Sequence, residues 1–196
     1  MKSRRKTILN IRFRGLVESM ELYGLSETKS GRGFLNPWVT GLLLSFALMD
    51  EIGREAPFNS HVTWGQVLNQ DDDSLSGEID IIHHLGKPLY QWRNIGYSIV
   101  DKENVLSLYE VKRTFSKYDK HRKDYLRLRE YGNRIYLIIY GTHTSIDNIR
   151  KREAKLKEIG YKDVFHLVRW TKREPEDVAK PISENWFRLM KAASQV

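Results

Sequence analysis

The run RIYLIIYG at residues 134–141 constrains the fold more than any other stretch of the chain. It is apolar at consecutive positions, the pattern of a β-strand covered on both faces. The segments on either side carry a helical period. Residues 116–132 put Tyr118, His121, Tyr125 and Leu128 on one stripe and Lys117, Lys120 and Arg127 on an adjacent one. SIDNIRKREAKLKEIG (145–160) predicts an amphipathic helix that stops at Gly160. DVFHLVRW (163–170) predicts a further strand.

Upstream, residues 7–24 space Ile8, Leu9, Ile11, Leu16, Val17 and Met20 as a first helix, and SETKSGRGFLNP (26–37) is a turn-rich linker. The second helix, about 38–55, is apolar nearly all round at its start and should be buried. HVTWGQV (61–67) alternates as a strand, NQDDDSLSG (69–77) is a hairpin connection, and EIDIIHH (78–84) is the next strand. GKPLYQWRNIG (86–96) predicts an irregular excursion, YSIV (97–100) a short extended piece, and VLSLYEVKRT (105–114) a strand. A last helix covers 182–193, with Ser183 as its N-cap. This order predicts an α/β fold with a mixed central sheet flanked by helices. A chain of 196 residues suits one core, hence one domain over 1–196. Within it, 1–37 is a helix and linker, 38–141 the central part, and 142–196 a C-terminal helix–strand–helix.

Composition narrows the function. The longest apolar patch, WVTGLLLSFALM (38–49), is short for a membrane span, so no membrane partner is expected. The chain has no cysteine, which excludes disulfides, zinc–thiolate sites and thiol catalysis and fits a reducing cytoplasm. The basic start MKSRRK is followed by no apolar signal core, so export is not expected. A net charge of +8 and a sequence pI near 9.6 favour a polyanionic partner such as nucleic acid.

Against this background, the charges inside two of the strands need an explanation. Side chains two apart share a strand face, so Glu78 pairs with Asp80 and Glu110 with Lys112. If the two strands are neighbours, Asp80, Glu110 and Lys112 converge at one end of the sheet. Two close carboxylates repel and raise at least one pKa, and a hard divalent cation, Mg²⁺ or Mn²⁺, resolves the conflict. Lys112 is placed to orient or deprotonate a metal-bound water and to offset phosphate charge. The bland alternative is a same-face ion pair on an edge strand.

Asp80, a long gap and then Glu110-Val111-Lys112, embedded in α-β-β-β-α-β order, resembles the PD-(D/E)xK nuclease superfamily. The resemblance spans residues 38–141 and extends to nuclease-like proteins of microbes and their viruses. It implies a restriction-endonuclease-like αβββαβ core and a Mg²⁺-dependent endonuclease acting on DNA, with RNA not excluded. Asp80, Glu110 and the Val111 carbonyl would hold the metal, Lys112 would be the catalytic lysine, and no organic cofactor is implied. Arg113, Lys117, Lys120 and Arg127 would contact the nucleic-acid backbone. A homodimer, cutting two strands, is a further implication, and the cytoplasm would be the host's for a viral member. The chain departs from the pattern in having Ile79, not proline, before Asp80. Many members add a helix glutamate, for which Glu18, Glu51 and Glu55 are all available.

Other features read more plainly. Asp71, Asp72 and Asp73 fit a solvated hairpin tip, because the glycine and terminal glutamate of a calcium loop are missing. Adjacent His83 and His84 point to opposite strand faces, and His121 lies on the packing stripe of its helix. KSGRG (29–33) reads as a backbone-gripping loop or a linker, and Trp64, Trp92, Trp170 and Trp186 as core or half-buried. Two other functions stay open: a weak or inactive nucleic-acid-binding protein that kept the nuclease fold, and a structural protein with chance charges.

Overall fold

The computed structural model describes residues 2–22, 37–92, 96–171 and 178–196. Among the described residues, five α-helices, α1 (Lys2–Leu22), α2 (Pro37–Glu55), α3 (Tyr118–Leu128), α4 (Ile146–Ile159) and α5 (Ser183–Ala193), flank one nine-stranded sheet. Its strands are β1 (Ser60–Asn69), β2 (Ser74–Leu75), β3 (Ile79–Leu85), β4 (Tyr90–Trp92), β5 (Tyr97–Asp101), β6 (Val105–Thr114), β7 (Ile135–Thr142), β8 (Asp163–Thr171) and β9 (Val178–Pro181). Their order is β4-β5-β1-β3-β6-β7-β8-β9, with β2 paired to β1 alone. The pairs β1–β5, β6–β7 and β7–β8 are parallel, and the other pairs are antiparallel. A parallel pair cannot be closed by a tight hairpin, so α3 and α4 carry the chain from β6 to β7 and from β7 to β8.

All eight residues of β7 are buried, as RIYLIIYG predicts. Tyr136, Ile138 and Tyr140 join a core formed by α1, α2 and α5, where Phe13 stacks on Trp186 with ring centroids 4.8 Å apart. Ile135, Leu137 and Ile139 join a second core with Leu128 of α3 and Leu156 of α4. The sheet is thus the middle of three layers.

The structure differs from the sequence reading in several details. α1 starts near the chain's beginning, earlier than residue 7. The 86–96 excursion contains β4, paired to β5, and a ninth strand, β9, edges the sheet beside β8. Ile182, not Ser183, occupies the cap position of α5, and Ser183 is its first helical residue. Trp170 and Trp186 are buried and Trp64 is half-buried, but Trp92 is 47% exposed because β4 lies at the sheet edge. Gly160 ends α4 as expected, at a φ of 129° that favours glycine. The KSGRG segment lies outside the described residues. Among the described residues no helix is long and apolar enough to cross a membrane.

Candidate active site

β3 and β6 are neighbours, the condition on which the sequence reading of Asp80, Glu110 and Lys112 depends. Their ladder runs from His84 opposite Val105 to Ile81 opposite Tyr109. Beyond Tyr109, β6 keeps its parallel pairing to β7, with Glu110 opposite Leu137 and Lys112 opposite Ile139. On the β3 side, the next β6 amide needing a partner is that of Val111, and the Asp80 side chain supplies it. Val111 N–H donates to Asp80 Oδ2 at 2.7 Å. A carboxylate therefore replaces a strand carbonyl at the point where the two strands part. Such an amide would otherwise be costly to leave unpaired.

Glu110 and Lys112 project toward α3. Glu110 is buried, with Lys112 Nζ on its Oε1 and Arg127 Nη2 on its Oε2 at 3.2 Å. Lys112 Nζ also lies 3.2 Å from Asp124 Oδ2. Asp124 had no place in the sequence reading. Its signal was a lone carboxylate among the cations of HRKDYLRLR, on the helix that follows the Glu-x-Lys strand.

These contacts set the protonation states. Asp80 keeps some solvent contact, yet desolvation, and after it repulsion from Glu110, push its carboxyl up to about 7. The Val111 N–H bond and Lys112 oppose this only in part. Burial by itself would lower the Lys112 ammonium, but Glu110, Asp124 and Asp80 outweigh it and hold the group above its ordinary value. Lys112 is therefore a fixed positive charge in the metal-free protein and is not poised to accept a proton.

The remaining candidate residues are dispersed. Lys117 and Lys120 are exposed at the start of α3, and Arg113 is half-buried on β6. Arg127 reaches inward to Glu110 and to the Glu78 carbonyl. Arg12 holds Glu51 and Glu55, each at 2.6 Å, and Arg5 also holds Glu55, so both carboxylates serve the α1–α2 contact. Glu18 is exposed on α1. His83 Nε2 bonds Ser60 Oγ at 2.7 Å, and His121 Nε2 meets Ser116 Oγ at 3.2 Å. Asp71, Asp72 and Asp73 are exposed at the β1–β2 turn.

Among the described residues no group of three or more His, Cys, Asp or Glu side chains is arranged to hold a metal ion. The sequence reading offers two carboxylates, Asp80 and Glu110, and the Val111 carbonyl as oxygen donors at the β3–β6 fork. They suit Mg²⁺ or Mn²⁺, which bind through one or two carboxylates and complete their shells with water and phosphate oxygen.

No family model matches the chain, and no curated protein matches it in sequence. Solved structures do match. NucC of P. aeruginosa ATCC27853 in its cAAA-bound form superposes with a TM-score of 0.65 at 10% identity, over 96% of this chain and 90% of that one. NucC of E. coli MS115-1, cAAA-bound, gives 0.60 at 13% identity, over 92% and 88%. Its apo form gives 0.51 at 12% identity, over 93% and 90%. At such identities the likeness concerns the fold. The chain carries a restriction-endonuclease-like αβββαβ core within a mixed sheet flanked by helices.

Proposed function

We propose that this protein is a metal-dependent nuclease that hydrolyses phosphodiester bonds, with DNA as substrate. One observation carries the reading: Asp80 accepts from the amide of Val111, the residue next to Glu110, and is repelled by the Glu110 carboxylate that Lys112 holds. The fold likeness to NucC adds support, because it agrees with the core that the Asp80…Glu110-Val111-Lys112 pattern implies. Asp80, Glu110 and the Val111 carbonyl would hold Mg²⁺ or Mn²⁺. The bound ion would acidify a water and neutralise phosphate charge. Lys112, kept as an ammonium, would stabilise the charge that builds on the phosphoryl oxygens. Lys117, Lys120 and Arg113 would meet the DNA backbone beside the site.

The test is plasmid cleavage in Mg²⁺ or Mn²⁺. Asp80→Ala and Glu110→Ala should each abolish cutting while melting like folded protein, and excess chelator should silence the wild type. A variant that cuts at the wild-type rate would remove its residue from the site. Wild-type protein that binds DNA without cutting it would favour an inactive DNA-binding relative.

A second reading concerns control of this activity. Two of the matched NucC structures are cAAA-bound. Here a cavity of about 550 Å³ is lined by His61, Thr63, His84, Lys87 and Tyr90, at the opposite end of β3 from Asp80. Buried Thr63 Oγ1 and His84 Nε2 have no hydrogen-bond partner among the described residues. Burial lowers the His84 pKa, which keeps the ring neutral and one nitrogen free to accept from a base N–H. Calorimetric titration with cAAA should show binding that His84→Ala loses; no heat from the wild type would discard this reading.

A further inference from the structure

Arg127 belongs by sequence to a basic stripe facing DNA, yet its guanidinium turns into the site. Nη2 lies 3.2 Å from Glu110 Oε2, and Nη1 donates to the Glu78 carbonyl at 3.2 Å. Gly77 leaves room for it, since a Cβ at that position would stand 3.0 Å from Nη1. Lys112 takes the other Glu110 oxygen. A carboxylate only 4% exposed thus has both oxygens neutralised by cations. A divalent ion that ligates Glu110 would add a third positive centre, so one of the resident cations must withdraw. Lys112 is 23% exposed and tethered a second time at Asp124. Arg127 is 40% exposed and has the open path to solvent.

We propose that Arg127 is a resident counter-cation of Glu110, displaced when metal binds, and that the freed guanidinium then grips a DNA phosphate. The inference rests on the metal-dependent nuclease reading. It makes metal and DNA binding reinforce each other, because each favours the outward Arg127. It also explains how a metal-free site can keep Glu110 buried.

The experiment is a calorimetric Mn²⁺ titration of metal-free wild type, Arg127→Gln and Arg122→Gln, the last removing an exposed charge from the same helix. Arg127→Gln should bind Mn²⁺ about three- to tenfold tighter, a range that allows for solvent screening of a part-exposed cation. Arg122→Gln should stay within about twofold of wild type, as expected for a screened surface charge. Ca²⁺ should strengthen DNA binding by the wild type, and by less in Arg127→Gln. If Arg127→Gln folds poorly, Arg127→Lys should fold and give an intermediate Mn²⁺ affinity. Unchanged or weaker Mn²⁺ binding in Arg127→Gln, or an equal gain in Arg122→Gln, overturns the proposal. Asp80→Asn separates the two levels. Mn²⁺ binding that needs Asp80 but ignores Arg127 defeats this inference alone, whereas no binding, or binding indifferent to Asp80, defeats the nuclease reading as well.

Discussion

Asp80 is desolvated and stands beside the Glu110 carboxylate, and its pKa is raised despite the bond from the Val111 amide. Metal ligation needs the ionised form, so Mn²⁺ affinity should fall close to tenfold per pH unit below about 7 and level off above it. Flat affinity between about pH 5.5 and 8 would contradict the assignment. In the metal-free protein the sign is fixed by the direction of the shift. The native state holds a proton that the unfolded chain releases between its ordinary 3.8 and about 7, so stability falls as pH rises through that window. Asp80→Asn keeps an acceptor for Val111 and should stabilise the metal-free protein at pH 8 by a few kcal/mol, on the order of the pKa shift converted to energy. Urea unfolding measures it. Lys112 makes a different kind of contribution. If its ammonium acts in the chemical step, Lys112→Met should lose most cleavage yet nearly keep Mn²⁺ and DNA affinity. A lower melting temperature with normal turnover would make it a structural partner of Glu110 and Asp124 instead.

At the scale of elements, α3 is the piece that joins fold to chemistry. It covers the second core through Leu128 and presents Asp124 and Arg127 to β6. Its outer cations remain available to DNA. Replacing Lys117 and Lys120, together with Arg127 once metal has freed it, should flatten the salt dependence of binding by up to about 0.9 for each duplex phosphate that is no longer neutralised. An unchanged slope would leave the stripe a solvated face. The strands that build the site were legible because each signalled itself locally: β7 by a continuous apolar run, β3 and β6 by charges set among buried residues. β9 and β4 were not, since VAKP and YQW are short edge pieces whose strand state comes from a neighbour's free edge. Asp124 and the inward turn of Arg127 were hidden for another reason. Which helical charges face a strand depends on how α3 lies across β6, and a single helix's periodicity does not encode that.

Across the whole molecule the buried histidines set the acid limit. Burial, followed by repulsion from His84 were both rings to take up protons, lowers His83 to about 4; burial, followed by Lys112, does the same for His121. Both rings stay neutral in the native state, while the unfolded chain takes up protons near its ordinary 6.5. Stability should therefore be intact above about 6.5 and decline as pH falls toward about 4, the reverse of the Asp80 slope. Unfolding of Asp80→Asn across that range isolates the histidine part, and a rise in stability on acidification would refute it. In the proposed enzyme, two strands of this sheet bring Asp80 and Glu110 together to hold a catalytic cation. Anomalous diffraction from Mn²⁺-soaked crystals tests it most directly. A peak is expected within ligand distance of Asp80, Glu110 and the Val111 carbonyl, with Arg127 drawn away from Glu110; Mn²⁺ bound elsewhere, with the Arg127–Glu110 pair intact, would remove these residues from the site.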